Sequence, residues 1–371
     1  MNVNKNIYIM GIRGIPAQHG GFETFAEKLA LYLTKRGWSV TVLCQEDGGG
    51  DVWESHWQNI RLIHVPVKYD GSVGTVLFDL KSILLSRERG VLFLTLGYNT
   101  AIFNVIQRFR GQKNVINMDG IEWLRKKWGL AARTWFWFNE RIGCYVGNHL
   151  IADHPSIESH LSRLVSNKKI TMIPYGGEKI EKANVALLNS YGIKPGEYSI
   201  IIARPEPENS IFEMVKAFSS RNRDHKLIVL GAFDPTKNPY HKSVVEAASQ
   251  EVIFLGALYE NSVINALRYF CCLYLHGHQV GGTNPSLVEA LGASCAVVAH
   301  DNCFNRWVAG PSAKYFKNVD DCACLLDTVL ENEKELYRMK QGSWKRFNEN
   351  FTWDKVLLNY EKLLLEWVPK N

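Results

Sequence analysis

The 371-residue sequence has no apolar run near the ~20 residues that a membrane-spanning helix needs, so no such span is expected. Its start, Met1-Asn2-Val3-Asn4-Lys5-Asn6-Ile7, carries a lysine but neither an apolar core region nor a cleavage site, and no signal peptide is expected. The eight cysteines are scattered, several of them (Cys271, Cys272, Cys295) in apolar runs, and none forms a C-x-x-C pair. That pattern favours neither a zinc site nor a disulfide framework and points to a reducing, cytoplasmic setting. A G-x-G-x-x-G fingerprint is missing too, because Gly11 and Gly14 are too far apart, and this disfavours a nicotinamide-dependent oxidoreductase. Charge of one sign is also scarce. A net +6 admits an anionic partner without choosing among nucleotide, lipid headgroup and nucleic acid. Basic residues are dispersed outside one stripe, which argues against nucleic acid. There is no repeat and no low-complexity tract.

What is present fits a globular α/β protein: 46% hydrophobic and 22% charged residues, in a chain long enough for two domains. Ile7-Tyr8-Ile9-Met10 reads as a buried strand, followed by a loop from Gly11 to Gly21. Phe22, Phe25, Leu29 and Leu33 then recur at helical spacing, and Ser39 to Cys44 is the next strand. This βαβ unit implies a parallel sheet. Further strands are expected at 62–65, 91–96, 114–117, 149–152 and 170–173. A polar stretch from Gly177 to Glu197 reads as a crossover. A second alternation has strands expected at 199–203, 227–230, 252–255, 271–275 and 295–299. Helices are expected over 331–346 and 351–365, the last one crossing back onto the first domain. The expected architecture is two doubly wound units with a crevice between them.

The chain is organised around Gly281-Gly282-Thr283-Asn284-Pro285-Ser286-Leu287-Val288-Glu289, a glycine loop entering a helix between two strands. Backbone N–H groups at such a helix start suit an anion, and Glu289, about two turns on, suits a hydroxyl-bearing group. The pair fits a nucleotide; it also fits a tight turn with a surface glutamate. Gly20-Gly21 at the first helix entrance admits a ligand near the backbone, or simply relieves a crowded turn. Arg204, at a strand's carboxyl end, is placed for a phosphate or for a salt bridge with Glu206 or Glu208. Asp153 and Tyr175 follow strands, where ligands of such sheets bind, but they also read as a helix cap and an interdomain packing residue. Over 121–143, Leu124, Trp128, Ala131, Trp135, Phe138 and Ile142 form one helical stripe, with Arg125, Lys126, Lys127, Arg133 and Arg141 nearby. A stripe of this kind suits a membrane interface, and equally an ordinary packed helix.

Taken together, these features resemble the retaining GT-B glycosyltransferases of family four, over nearly the whole chain. The wording Gly11-Ile12-Arg13-Gly14-Ile15-Pro16-Ala17-Gln18-His19-Gly20-Gly21-Phe22-Glu23-Thr24-Phe25 is similar to the bacterial subgroup that adds β-linked (β-1,4) rhamnose in polysaccharide assembly, as is His276-Gly277-His278-Gln279-Val280-Gly281-Gly282-Thr283. The resemblance implies a GT-B fold. Its domains would be residues 1–178 with 353–371, acceptor-binding, and 179–352, nucleotide-sugar-binding. It implies a nucleotide diphosphate sugar donor, foremost dTDP-rhamnose, and a lipid-linked saccharide acceptor, with no metal or other cofactor. Arg204 and the amides of Gly20, Gly21, Gly281, Gly282 and Thr283 would hold the diphosphate, Glu289 the ribose, and Asp153 and Tyr175 would stand near the reacting centre. Arg13, Asp119, Asn209, His278 and Asn284 complete the implied substrate contacts. Peripheral contact with the inner membrane face would run through residues 123–142. Two departures from the broad family stand out: Asn209 replaces a lysine, and Gly281 replaces a glutamate that grips the donor sugar. They leave open a UDP- or GDP-sugar donor, and a catalytically weak scaffold subunit.

Overall fold

The computed structural model describes residues 5–18, 20–125 and 127–369; His19 and Lys126, each part of a motif above, lie outside the described residues. The chain divides into a unit of residues 1–175 with 353–371 and a unit of residues 176–352. The chain passes between them at Tyr175/Gly176, where 178/179 was expected, and again at Thr352/Trp353.

The first unit contains strands β1 (Asn6–Met10), β2 (Ser39–Asp47), β3 (Trp53–Trp57), β4 (Ile60–Val67), β5 (Leu92–Leu96), β6 (Lys113–Asn117), β7 (His149–Ala152) and β8 (Ile170–Met172). They form one sheet in the order β3-β4-β2-β1-β5-β6-β7-β8. Every pairing is parallel except β3 with β4. β1 and β5 are buried on both faces, which is why they read as continuous apolar runs. β3 escaped the sequence reading because it is a short, mostly exposed edge strand, Trp-Glu-Ser-His-Trp, without an apolar run.

The first helix (Gly21–Lys35) buries Phe25, Leu29 and Leu33 on the sheet. The C-terminal helix (Trp353–Trp367) completes that layer with Val356, Tyr360 and Leu364, so the return of the last helix to the first unit is observed. The Phe25 and Tyr360 rings lie 4.6 Å apart. Glu361 is buried in the same layer and accepts hydrogen bonds from Tyr32 Oη (3.0 Å) and Trp38 Nε1 (3.2 Å).

The expected single helical stripe over 121–143 is not formed. A short 3-10 turn spans Glu122–Leu124, and the helix proper begins only at Leu130 and runs to Val146, behind Gly129. Leu124 and Trp128 are thus off the helix. Several of the basic residues are committed inside the unit. Arg125 pairs with Glu122 at 2.8 Å, Arg141 with buried Glu140 at 3.2 Å, and Arg133 Nε donates to the Trp123 carbonyl at 2.8 Å. Leu130, Trp135 and Phe138 remain exposed around one shallow apolar hollow.

The second unit contains β9 (Tyr198–Ile202), β10 (Lys226–Leu230), β11 (Val252–Gly256), β12 (Leu273–His276), β13 (Ala296–His300) and β14 (Lys314–Phe316). Their order is β11-β10-β9-β12-β13-β14, all parallel. Side-chain alternation splits the core. Tyr198, Ile200 and Tyr274 pack to one face with Leu287 and Phe347, and Ile201 and Leu275 to the other with Met214 and Phe218.

Replacing Glu361 by alanine strands the buried Trp38 indole N–H and removes the acceptor of the half-buried Tyr32 hydroxyl. We expect unit stability to fall by about 1.5–3 kcal/mol, read as a lower urea midpoint. An unchanged midpoint would show that this carboxylate does not hold the helix to the sheet.

Candidate functional site

In the second unit the chain leaves β9 toward β10 on one side and returns through β12 toward β13 on the other. The crevice beyond the carboxyl ends of β9 and β12 is therefore the topological switch point, where ligands of such sheets bind. The turn after β9 carries Arg204, and the loop after β12 carries His278 and Gly281 to Asn284. These predicted residues are brought together.

Arg204 is exposed, and its guanidinium forms no ion pair among the described residues, so the alternative salt bridge with Glu206 or Glu208 is not made. Its carbonyl accepts from the Glu206 N–H (2.7 Å) and from Asn209 Nδ2 (2.8 Å). Asn209 is buried. Where the sequence reading gave it a substrate contact, the structure shows its amide bracing the Arg204 turn. The two loops are stitched together by Gln279: its N–H donates to the Glu208 carbonyl and its Nε2 to Ser210 Oγ, both at 2.9 Å. Gly277 lies so close that a Cβ there would stand 2.1 Å from the Asn209 carbonyl oxygen. Only glycine permits that approach.

The helix of the glycine loop spans Pro285–Gly292 and is capped by Asn284, whose Oδ1 accepts from the Ser286 N–H at 3.0 Å. Leu287 and Val288 N–H groups go to the Asn284 carbonyl, and Pro285 has no N–H. The first amides of this helix are thus used by its own cap, which is the role the structure shows for Asn284. The loop before it stays in play: Gly281 adopts φ +138°, a conformation that favours glycine. Thr283 is buried and Gly282 half-buried. Ser286 Oγ meets the Tyr274 hydroxyl and donates to the Ile202 carbonyl at 3.1 Å, tying the helix start to both strand ends.

Glu289 is half-buried, not a plain surface glutamate. Arg268, only 6% exposed, donates its Nη2 to Glu289 Oε2. The sequence reading missed Arg268. Its signal was an arginine among Val263, Ala266 and Leu267 on the buried face of the helix Asn261–Phe270. His276 was also missed as a separate element. It is buried, and its ring stacks on His278 with centroids 4.5 Å apart. Burial, then the neighbouring His278 and His300, hold His276 well below the ordinary histidine range, so it is neutral. The His278 carbonyl is fixed by Asn302 (2.9 Å) and Asn305 (2.8 Å).

In the first unit, the predicted residues again gather at strand carboxyl ends. The loop from Arg13 is latched to the first helix: Glu23 accepts the Arg13 N–H at 3.2 Å and Glu27 the Ala17 N–H at 2.7 Å. Gly20 precedes that helix without a side-chain cap, and Gly21 begins it. The Arg13 side chain is exposed and lines a cleft of about 420 Å³. Asp119 and Asp153 follow the neighbouring strands β6 and β7. Asp119 has φ +50°, and its N–H donates to Asn117 Oδ1 at 2.9 Å. Burial, then the Glu122 and Asp153 carboxylates, push the Asp119 carboxyl up to about 7. The helix-cap alternative for Asp153 is not realised. The cap of the following helix is His154, whose Nδ1 accepts from the Ser156 N–H at 3.0 Å. Tyr175 packs edge-on against Trp353 of its own unit, ring centroids 5.0 Å apart.

Comparisons with known proteins agree with this architecture. Residues 4–178 match a family model described as a domain of unknown function (DUF1972), and residues 188–346 match the model described as glycosyl transferases group 1. A search of curated proteins found no significant match. Sucrose-phosphate synthase from Thermosynechococcus elongatus is similar with a TM-score of 0.80 at 16% identity, over 98% of both chains. HepE from Anabaena in complex with UDP gives 0.76 at 13%, over 98% of this chain and 100% of that one. An alpha,alpha-trehalose-phosphate synthase (UDP-forming) from Burkholderia xenovorans gives 0.73 at 13%, over 97% and 100%. At such identities the likeness is one of fold, and the fold is the two-unit α/β architecture of GT-B transferases.

Asp119 supplies a pH test. Its carboxyl is raised from 3.8 to about 7, so as pH climbs through that window the unfolded chain loses the proton while the folded chain keeps it, and stability falls. Asp79, raised to about 7 by burial beside Thr100, acts with the same sign. Asp119→Asn keeps a residue tolerant of positive φ. Its urea midpoint should fall less than that of the wild type as pH rises across the window. Parallel profiles would show that Asp119 is ionised when folded.

Proposed function

We propose that this chain is a retaining glycosyltransferase taking a nucleotide diphosphate sugar as donor, foremost dTDP-rhamnose, and a lipid-linked saccharide as acceptor in bacterial surface polysaccharide assembly. The observation that carries the donor half is the switch point of the second unit. There an exposed Arg204, without an ion pair among the described residues, stands on a turn braced by Asn209 and stitched to the Gly281–Thr283 loop by Gln279. The match of residues 188–346 to glycosyl transferases group 1 supports the same reading.

In this reading charge develops on the β-phosphate as the sugar bond breaks, and Arg204 with the loop amides stabilises it. The carboxylate of Glu289, oriented by Arg268, accepts from the nucleoside hydroxyls. The acceptor hydroxyl attacks from the face the phosphate leaves, and the departing phosphate takes its proton. Asp153 and Tyr175 serve the acceptor. Asp119, whose carboxyl is raised to about 7, can carry a proton below neutral pH and then donate a hydrogen bond. A lipid carrier is supported by the exposed Leu130, Trp135 and Phe138, which surround one shallow apolar hollow. A second reading keeps the transferase and changes the donor to a UDP-sugar. The HepE structure with UDP-glucose favours it at the level of fold.

Arg204→Ala should cut turnover by about 10²–10³-fold and abolish the thermal shift that nucleotide diphosphate sugars give the wild type. A ligand at ~100 times its dissociation constant adds about 2.7 kcal/mol, enough to resolve donors in a panel. A selective shift with dTDP-rhamnose supports the first reading, and one with a UDP-sugar supports the second. Wild-type turnover in Arg204→Ala would remove the diphosphate role.

A further inference from the structure

We propose that the first unit binds a phosphate that brings its own O–H group, in a basic cleft at the amino ends of β5 and β6. Arg89 stands before β5, while Phe109, Arg110 and Gln112 lead into β6, whose first residue is Lys113. All five line one cleft of about 420 Å³. That is within the ~300–1,000 Å³ typical of ligand sites. Asp119 and Asp153 lie beyond the opposite, carboxyl ends of this sheet. The length of β6, five residues or about 16 Å, separates the cleft from them.

The lining carries three cations and no carboxylate. Among the described residues, none of Arg89, Arg110 and Lys113 forms an ion pair. Arg110 is anchored. Its Nη1 donates to the carbonyls of Ile83 (2.8 Å) and Ser86 (3.4 Å), and its Nε and Nη2 have no partner among the described residues. Glu88, beside Arg89 in sequence, accepts from Tyr8 Oη at 2.7 Å and does not line the cleft. A guanidinium held in place and flanked by two more cations suits a phosphate.

Gln112 narrows the ligand further. It is only 6% exposed, and its Nε2 donates to the carbonyls of Ser86 (2.9 Å) and Glu88 (3.1 Å), which fixes the orientation of the amide. The amide oxygen is left buried without a partner. An open acceptor in a cleft of cations calls for a ligand that carries both negative charge and a donor. Hydrogen phosphate is such a ligand, and so is an organic phosphate with a neighbouring hydroxyl; sulfate is not. Phe109, 88% exposed, gives the cleft an apolar wall for an organic group. None of these contacts depends on the chain being a transferase.

The test uses the full chain carrying Arg204→Ala, so that phosphate does not also bind at the switch point of the second unit. Phosphate and sulfate are compared by isothermal titration at about pH 8, above the second ionisation of phosphate. Both are then tetrahedral dianions, and only phosphate keeps an O–H. Phosphate should bind about threefold more tightly than sulfate, or better. Adding Arg89→Ala or Lys113→Ala should weaken it about fivefold or more, with thermal midpoints near that of the parent. Replacing Gln112 would strand two carbonyls, so the preference for phosphate over sulfate reads its oxygen instead. A second arm measures cosedimentation with phosphatidylcholine vesicles, with and without phosphatidylglycerol, whose headgroup joins a phosphate to hydroxyls. Cosedimentation that needs phosphatidylglycerol and is lost in both variants makes the ligand a lipid headgroup, and binding of free phosphate alone makes it a soluble phosphate. If neither binds, if sulfate binds as tightly as phosphate, or if both variants bind unchanged, the cleft is not this site. The thermal shift of the wild type with nucleotide diphosphate sugars reports the transferase reading separately.

Discussion

The close passage of the chain after β12 against the turn after β9 is the constraint on which the second unit's site depends. A Cβ on Gly277 would stand 2.1 Å from the Asn209 carbonyl, so two loops that are far apart in sequence can share a crevice only with glycine there. Gln279 then locks the two loops with a backbone and a side-chain hydrogen bond, and Asn209 shapes the turn that presents Arg204. Parallel strands make this arrangement available, because they place consecutive functional loops at one edge of the sheet. Among the described residues the arginine has no carboxylate partner, while its surroundings are tied down, which would suit the anionic leaving group of the proposed reaction.

In the first unit the equivalent work is done by carboxylates. Glu23 and Glu27 hold the loop after β1 to the first helix, Glu361 holds the C-terminal helix to Tyr32 and Trp38, and Glu46 is fixed by His64. Each accepts donors that would otherwise be left unpaired on folding, so each is tied to geometry as well as to charge. Asp119 is the exception. Its burial and the neighbouring Glu122 and Asp153 carboxylates raise it to about 7, and in its protonated form it can donate as well as accept.

Much of this was legible in the sequence. The central strands of both sheets are buried on both faces and therefore appear as apolar runs, and the first and last helices show their periodicity. The glycine loops and Arg204 stood out as breaks in that pattern. What stayed hidden has a common cause. β3 is an edge strand with polar residues facing out, so no apolar run marks it. The 121–143 stripe looked continuous because spacing alone cannot register that the helix begins only at Leu130. Arg268 and His276 became meaningful only once Glu289 and His278 were found beside them.

The sequence by itself determined the two α/β alternations, the placing of glycines where backbone must approach backbone, and the chemical types available to a site, because these follow from local periodicity and residue chemistry. The tertiary structure decided which of those residues are spent and which remain available. Asn209 and Asn284 went to bracing and capping, the basic residues Arg125 and Arg141 to internal carboxylates, and Arg204 to none among the described residues. That division depends on partners brought from distant positions in the chain, which no local pattern encodes.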